Sequence, residues 1–139
     1  MKLIKLIIGV LSLQVGVAFA STAPNLVGNW EAVSGYWSFT GSVENPAPSK
    51  LSQKPLHTKM TISEQEGSVF IGKIVRYDGE LREVAGAIHP DGKTIDLSID
   101  NSETRAILSQ NNNQLSSCGT TVSISHNRAF CTIFRKVKD

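Results

Sequence analysis

A period-two alternation of apolar and polar residues recurs along this 139-residue chain, between sequences that favour turns. Such alternation is typical of β-strands with one buried face, and no apolar pattern of helical spacing extends beyond two turns. We therefore predict an all-β protein. Its eight predicted strands cover residues 26–34, 56–63, 69–77, 80–88, 94–100, 103–109, 114–119 and 128–137.

The sequences between the later strands predict short connections. Asp78-Gly79 is a strong hairpin signal, and Pro90-Asp91-Gly92 has proline where a turn favours it. Strands joined by short turns pair as antiparallel neighbours in a meander. Closing such a sheet removes both exposed edges, so we predict an up-and-down eight-stranded antiparallel β-barrel. A two-sheet sandwich is the alternative.

The first twenty residues have the pattern of an export signal. A short positive segment, Met1–Lys5, precedes the mostly apolar run Leu6–Val17 and the small-x-small sequence Ala18-Phe19-Ala20. The run is shorter than a membrane span needs and ends in the cleavage pattern. We therefore predict a cleaved signal peptide over 1–20, a single β-barrel domain over 21–139, and a periplasmic or secreted protein that leaves the membrane after cleavage.

The charge of the predicted mature domain bears on its partners. Two of the chain's 14 basic residues, Lys2 and Lys5, lie in the predicted signal, so the mature domain balances its remaining cations against 12 acidic residues. A neutral domain lacks the basic surface that nucleic acids or anionic membranes attract. We therefore expect neither as a partner.

Two cysteines, Cys118 and Cys131, are present in a chain predicted to be exported, and we expect them to form a disulfide. A tight hairpin turn at residues 126–127 would hold them about 13 Å apart, beyond the limit of about 7 Å between bridged Cα atoms. A wide loop of about Thr121 to Arg128 would place them opposite each other. The disulfide therefore favours the wide loop.

Residues 35–55 stand apart from the regular pattern. They contain Pro46, Pro48 and Pro55, which lack the backbone donor that a central strand requires. We predict a long loop here, in which Tyr36–Val43 could form a further strand.

Three aromatic residues, Tyr36, Trp37 and Phe39, lie within this predicted loop. Aromatic side chains on an adaptable loop suit recognition of a ligand or a partner, so they are the candidate binding residues. The alternative is that Trp37 and Phe39 cap the barrel core.

Residue patterns for catalysis or metal binding are absent from the sequence. The histidines His57, His89 and His126 have no metal-pair spacing with each other or with a cysteine. No nucleophile elbow, phosphate loop or dinucleotide fingerprint occurs. We therefore predict a non-enzymatic protein with no catalytic residues, no metal and no cofactor.

The sequence Leu26-Val27-Gly28-Asn29-Trp30 places Gly-x-Trp on the first strand of an eight-strand meander. This resembles the calycin superfamily of lipocalins and avidins. The resemblance implies that Trp30 closes one barrel end and packs on an Arg or Lys near the end of the last strand, for which Arg135 is the candidate. The several Trp residues that line the avidin pocket have no counterpart here, so no biotin-binding residue is transferred.

The chain also resembles small exported barrel inhibitors of bacterial metalloproteases, which have Gly-x-Trp and one disulfide. The disulfide of those inhibitors is usually nearer the N-terminus than Cys118 and Cys131 are here. Two functions follow from these resemblances. The barrel could hold a small apolar ligand, with Gly72 and Gly86 leaving room among bulky inward residues. Alternatively, a filled barrel could act as a protein-binding module or inhibitor through its loops.

Overall fold

A computed structural model describes residues 23–41, 48–53, 57–76, 78–100, 102–122 and 126–138. The predicted signal peptide and its cleavage site lie outside these residues. The described residues form nine strands: β1 (Gly28–Gly41), β2 (Lys50–Gln53), β3 (Lys59–Glu66), β4 (Val69–Val75), β5 (Leu81–Ile88), β6 (Thr94–Ile99), β7 (Ser102–Leu108), β8 (Gln114–Val122) and β9 (His126–Lys136). None of these ranges includes a helix that could span a membrane.

The strands close into one antiparallel barrel. From β3 to β9 each strand pairs with the next, and β1 completes the ring by pairing with β3 on one edge and β9 on the other. The β1–β9 pairing runs from Trp30 opposite Lys136 to Gly41 opposite His126. The predicted eight-stranded up-and-down barrel is therefore confirmed, since β2 adds to the edge of β1 and is not needed for closure.

The prediction of a long irregular loop over 35–55 is wrong for the residues described there, whereas strand structure, which the sequence allowed at Tyr36–Val43, is present as far as Gly41. Residues 35–41 continue β1, and Lys50–Gln53 form β2 against its second half. Because this half of β1 also pairs with β9, backbone hydrogen bonds are available on both of its edges. Pro46 and Pro55 lie outside the described residues, and Pro48 precedes β2.

A bulge in β1 determines which face its second half presents. The register with β9 shifts between Ala32 and Ser34, so Val33 has no direct partner. Val33 points outward, whereas Ala32 packs on the core. The extra residue reverses the alternation that follows, as β-bulges do. Trp30 and Trp37 consequently face the same interior although they are seven positions apart, a spacing that would place them on opposite faces of a regular strand.

The barrel core is a single cluster of buried side chains from all the strands of the ring. It contains Leu26, Trp30, Met60, Ile62, Phe70, Ile74, Val84, Ile88, Ile95, Leu97, Ala106, Leu108, Leu115 and Phe134. These residues alternate with exposed ones along each strand, as period-two patterning requires. Leu26, two residues before β1, and Trp30, near its start, are both 0% exposed.

The disulfide between Cys118 and Cys131 is present, and its two Cα atoms are 4.1 Å apart in directly opposed positions on β8 and β9. Both cysteines lie on the outer face of the barrel. Pairing continues past them into the predicted loop of about Thr121 to Arg128, as far as Val122 opposite Asn127. The predicted register is confirmed, and the loop is narrower than expected.

Candidate functional site

A cavity of about 1610 Å³ occupies the barrel and is open to solvent. Each of the nine strands borders it, from residues 64–66 on β3 around the ring to residues 51–53 on β2. A space bordered by every strand of a closed sheet is the lumen of the barrel. Since β3 and β2 pair with opposite halves of β1, the border climbs along the barrel as it circles it, which is the stagger that barrel closure requires.

One inward-facing residue from each strand follows this border in direct cross-strand register. Phe70 and Leu97 lie on one side, and Trp37 pairs with Phe130 on the other. Phe70 and Leu97 are nearly fully buried, whereas Trp37 and Phe130 are half-buried. The lumen therefore has an apolar wall with an accessible aromatic side.

Two glycines in the wall lie beneath aromatic rings. A Cβ atom on Gly86 would overlap the ring of Phe70, and one on Gly119 would come within 2.9 Å of Phe130 Cζ. The missing side chains let both rings lie close to the neighbouring strand. The expectation that Gly86 leaves open room is therefore wrong, because Phe70 fills that space. Gly72 leaves none either, since it abuts the backbone of Thr61 and Ile62 on β3.

The wall also carries a neutral polar group. Thr104 on β7 lies between Leu97 and Gly119 in the cross-strand register and is only 5% exposed. Its Oγ1 atom has no hydrogen-bond partner. A Cβ atom on Gly119 would be 2.7 Å from this oxygen, so the hydroxyl and the Phe130 ring meet over the same glycine.

Trp30 is fully buried near the start of β1. Its indole Nε1 donates to the Leu26 carbonyl at 3.0 Å, and Lys136 Nζ lies 5.5 Å from the centre of its ring. The cation over the Trp30 ring is therefore Lys136, and the expectation of Arg135 is wrong. The reason lies in the strand geometry. Trp30 and Lys136 are direct partners on the inner face, whereas Arg135 is exposed on the outer face.

The three predicted binding residues do not form one surface. Trp37 borders the lumen, and Phe39 shares its face of β1. Tyr36 points outward beside the disulfide, is 56% exposed, and accepts a hydrogen bond from Gln53. Alternation along a strand separates neighbours in this way. The expectation that one loop presents all three aromatic residues together is therefore wrong, because they lie on a strand and on both of its faces.

Sequence reasoning missed Phe130, Gly119 and Thr104 as parts of the site. The expected disulfide contained a signal for the first two, because opposing Cys118 to Cys131 also opposes Gly119 to Phe130. Their position one residue after and before a cysteine places them on the other face of the sheet. Thr104 joins them through the β7–β8 register, which no such bond fixes.

A cluster of charged side chains lies on the outer surface of β6 and β7. Asp96 accepts from Arg105 Nε at 2.9 Å and contacts His89 Nε2 at 2.7 Å. These hydrogen bonds, first from Arg105 and then from His89, lower the pKa of Asp96. Within the described ranges, no three His, Cys, Asp or Glu side chains are grouped so that they could hold a metal ion. The absence of a metal site stays a prediction from the sequence. His57 is exposed, and the side chain of His126 lies outside the described part of the chain.

Comparisons with known proteins do not assign this chain to a family. No protein-family model matches the chain, and no curated protein sequence matches it. Among solved structures it is similar to lobster apocrustacyanin A1, with 17% sequence identity and a TM-score of 0.40. The alignment covers 82% of this chain and 62% of that protein, so the chain spans less than two thirds of its length. The structure itself shows the predicted closed eight-stranded antiparallel meander.

Proposed function

We propose that this protein is an exported, non-enzymatic binding protein that holds a small, mainly apolar ligand in the barrel lumen. The observation that carries the proposal is the open cavity of about 1610 Å³ with apolar and aromatic side chains in its wall. Ligand sites typically have volumes of about 300–1,000 Å³ and are lined mostly by apolar groups with few polar ones. The lumen is therefore large enough for such a molecule together with water.

The aromatic side of the lumen is where we expect the ligand to bind. Trp37 and Phe130 face each other across the β1–β9 pair and are only half-buried without a ligand. Covering such surface is favourable in proportion to the apolar area removed from water. Trp37, which the sequence also singled out, is thus the proposed ligand contact, together with Phe130. Phe39 is a further candidate nearer the barrel mouth.

A protein partner is the alternative, and one observation on the outer face favours it. Leu51 on β2 is 88% exposed and lies on the same face as Tyr36. An exposed aliphatic side chain beside an exposed tyrosine is a combination found at interface cores. The open lumen argues against a filled barrel that binds only through its surface.

Native mass spectrometry of the protein purified from its own host tests the proposal first. A co-purifying small molecule, lost on denaturation, is the expected result. Titrating the stripped protein with that molecule should then change the fluorescence of wild type, while a Trp37→Phe variant, which keeps only Trp30, should respond far less. A co-purifying protein whose binding Leu51→Ser abolishes, with no small molecule bound, would overturn the lumen proposal in favour of the surface.

A further inference from the structure

We propose that the ligand carries a neutral oxygen, a carbonyl or a hydroxyl, that hydrogen-bonds to Thr104 Oγ1 on the lumen wall. This inference rests on the proposed ligand site and specifies the chemistry of its occupant. It is carried by Thr104, a residue that borders the cavity, is 5% exposed, and has a hydroxyl with no hydrogen-bond partner in the protein.

The isolation of this hydroxyl is unusual in the part of the chain that the structure describes. Arg82 Nε, another buried donor, faces Asp100 Oδ2 at 3.1 Å. Ser102, on the same strand as Thr104, and Thr121, on neighbouring β8, have hydroxyls 3.3 Å apart that pair with each other. Buried polar groups in folded proteins are nearly always hydrogen-bonded, because leaving one unpaired in an apolar setting is unfavourable.

Packing alone does not explain a threonine at this position. Thr104 is flanked in register by Leu97 and Gly119, and its hydroxyl adjoins the Phe130 ring over that glycine. Valine has nearly the same shape and would fill this space without an unpaired oxygen. An oxygen supplied by a bound molecule would satisfy the hydroxyl and orient the ligand against the aromatic side of the lumen.

The chemistry of the group follows from that of its surroundings. A threonine hydroxyl donates one hydrogen bond and accepts others, so both a carbonyl and a hydroxyl fit it. The polar side chains on the inner face of this border, Ser52, Gln65 and Thr104, are neutral, so they do not offset the desolvation of a charged group. The neighbouring Phe130 and Trp37 side chains favour a flat or ring-containing body. The ligand class is therefore a largely apolar, ring-containing ketone or alcohol.

Two probe molecules isolate the hydrogen bond from general apolar binding. 2-Acetylnaphthalene carries a ketone, and 2-ethylnaphthalene has a similar shape without the oxygen. Their affinities are measured for wild type, Thr104→Val and Thr104→Ser, and the carbonyl stretch of the bound ketone is recorded by infrared spectroscopy. Thr132→Val on β9 is the matched control, because Thr132 is buried on the same inner face but does not border the cavity.

In wild type we expect the ketone to bind with its carbonyl stretch at lower wavenumber than in hydrocarbon solvent. Thr104→Val should weaken ketone binding by roughly tenfold, the typical value of one hydrogen bond, and remove the wavenumber shift. Binding of 2-ethylnaphthalene should be unchanged or tighter. Thr104→Ser should retain most of the ketone affinity, and Thr132→Val should leave both probes unaffected.

The ligand-free proteins provide a second readout that does not depend on the probes. Thr104→Val should melt at the same temperature as wild type or higher, because it removes an unpaired buried oxygen. A clear loss of thermal stability would show that the hydroxyl has a structural partner and would overturn the inference.

The outcomes separate this inference from the proposed function. If wild type binds both probes and Thr104→Val binds them equally well, the hydrogen bond is refuted while the ligand-binding lumen stands. If wild type binds neither probe and nothing co-purifies with the native protein, the proposed function fails and the inference falls with it.

Discussion

The two tryptophans of this chain occupy opposite kinds of environment on one strand. Trp30 is fully buried, hydrogen-bonded to Leu26 and covered by the Lys136 side chain. Trp37 is half-buried on the lumen wall. A side chain that completes the core contributes to folding, whereas one left partly exposed in a cavity is available to a ligand.

Truncation of each tryptophan to alanine should separate these roles. Trp30→Ala should lower the free energy of unfolding by about 3–5 kcal/mol, as for other buried aromatic residues. Trp37→Ala should cost much less, because less of its surface is removed from solvent in the folded protein. Urea denaturation of both variants measures the difference. Equal losses would place Trp37 in the core and contradict its assignment to the ligand site.

The cation over Trp30 can be tested against its exposed neighbour. Lys136 also donates to the Asn25 carbonyl at 3.2 Å, so it links the end of β9 to the segment before β1. Lys136→Ala should destabilise the protein by about 1 kcal/mol, the typical size of a partly exposed cation–π contact. Arg135→Ala is the matched control and should have a smaller effect in chemical denaturation. The reverse order would restore Arg135 as the partner.

The error in assigning Arg135 shows what a sequence pattern determines at this scale. Phe134 is apolar, so alternation alone places residue 136, and not 135, on its face. That signal was available. The orientation of Trp37 was not, because it depends on the bulge at Val33, and nothing in the local composition distinguishes a bulged valine from a paired one.

Among the structural elements, the β5–β6 turn is fixed by one aspartate. Asp91 accepts from the side chain of Thr94 and from the backbone amides of Lys93 and Thr94, and these bonds lower its pKa to about 2. The Gly92 amide closes the turn on the His89 carbonyl, with Gly92 at a positive φ of 66°. The Pro-Asp-Gly sequence thus correctly predicts the turn. The backbone of His89 and the side chain of Asp91 both accept hydrogen bonds that stabilise it.

The lowered pKa makes the contribution of Asp91 dependent on pH. Since the ordinary pKa is 3.8 and the folded value is about 2, the ionised carboxylate stabilises the folded state above about pH 4. That contribution is lost as the pH falls through about 2. Asp91→Asn should therefore melt below wild type at pH 7, and the two should converge at pH 2.

Melting curves recorded by circular dichroism at both pH values check this expectation. Asp78→Asn is a useful control. Asp78 also lies in a turn, but there its carboxylate accepts one hydrogen bond, from the Glu80 amide, where that of Asp91 accepts three. A melting difference for Asp91→Asn that stays constant down to pH 2 would contradict the assigned role of the carboxylate.

The disulfide is the covalent link within the β8–β9 ladder. It closes a loop over a sequence separation of 13 residues, for which chain entropy predicts a stabilisation of about 3 kcal/mol. Replacing both Cys118 and Cys131 by serine should lower the unfolding free energy by up to this amount while the barrel still forms. Because both residues are on the outer face, no cavity is opened in the core.

Guanidinium denaturation, with near-ultraviolet circular dichroism as a check of native packing, measures the effect. Retention of full stability would mean that the reduced chain is already restricted before folding. Loss of the fold would mean that closure at β9 depends on the covalent bond.

The regular strands were predictable from the sequence because each presents a complete period-two pattern between turn signals. The segment over 35–55 was not, since its prolines indicate irregular backbone while its strand residues take their hydrogen bonds from distant partners. Phe39, for example, pairs with Lys50 on one edge and with Arg128 on the other. Pairing of this kind is decided by tertiary context rather than local propensity.

At the scale of the whole molecule, closure of the barrel follows from the number of strands and the cost of free edges, and it was predictable. The open lumen was not. Its width depends on how rings such as Phe70 and Phe130 settle over Gly86 and Gly119, and that arrangement requires the register of non-adjacent segments. The sequence therefore predicted the architecture of the site and one of its residues, Trp37.

Export is the prediction that concerns the whole chain. The intact mass of protein recovered from the periplasm or the medium should match a chain that begins at Ser21, with no free thiol after unfolding without reductant. The disulfide is consistent with an oxidising compartment. A full-length chain in the membrane fraction would contradict cleavage and would turn the first twenty residues into an anchor.

The position of β1 has a consequence for how the chain reaches its fold. This strand comes first in the described sequence, yet its longest pairing is with the last strand, from Trp30 against Lys136 onwards. Hairpins such as β4–β5 can form as soon as their own residues meet, but the ring cannot close until β9 is present. Contacts between such distant segments slow folding, because the entropy of a long loop is lost before the contact is gained. We therefore expect the hairpins to form early and the barrel to close late, through the pairing of its two strands that are most distant in sequence.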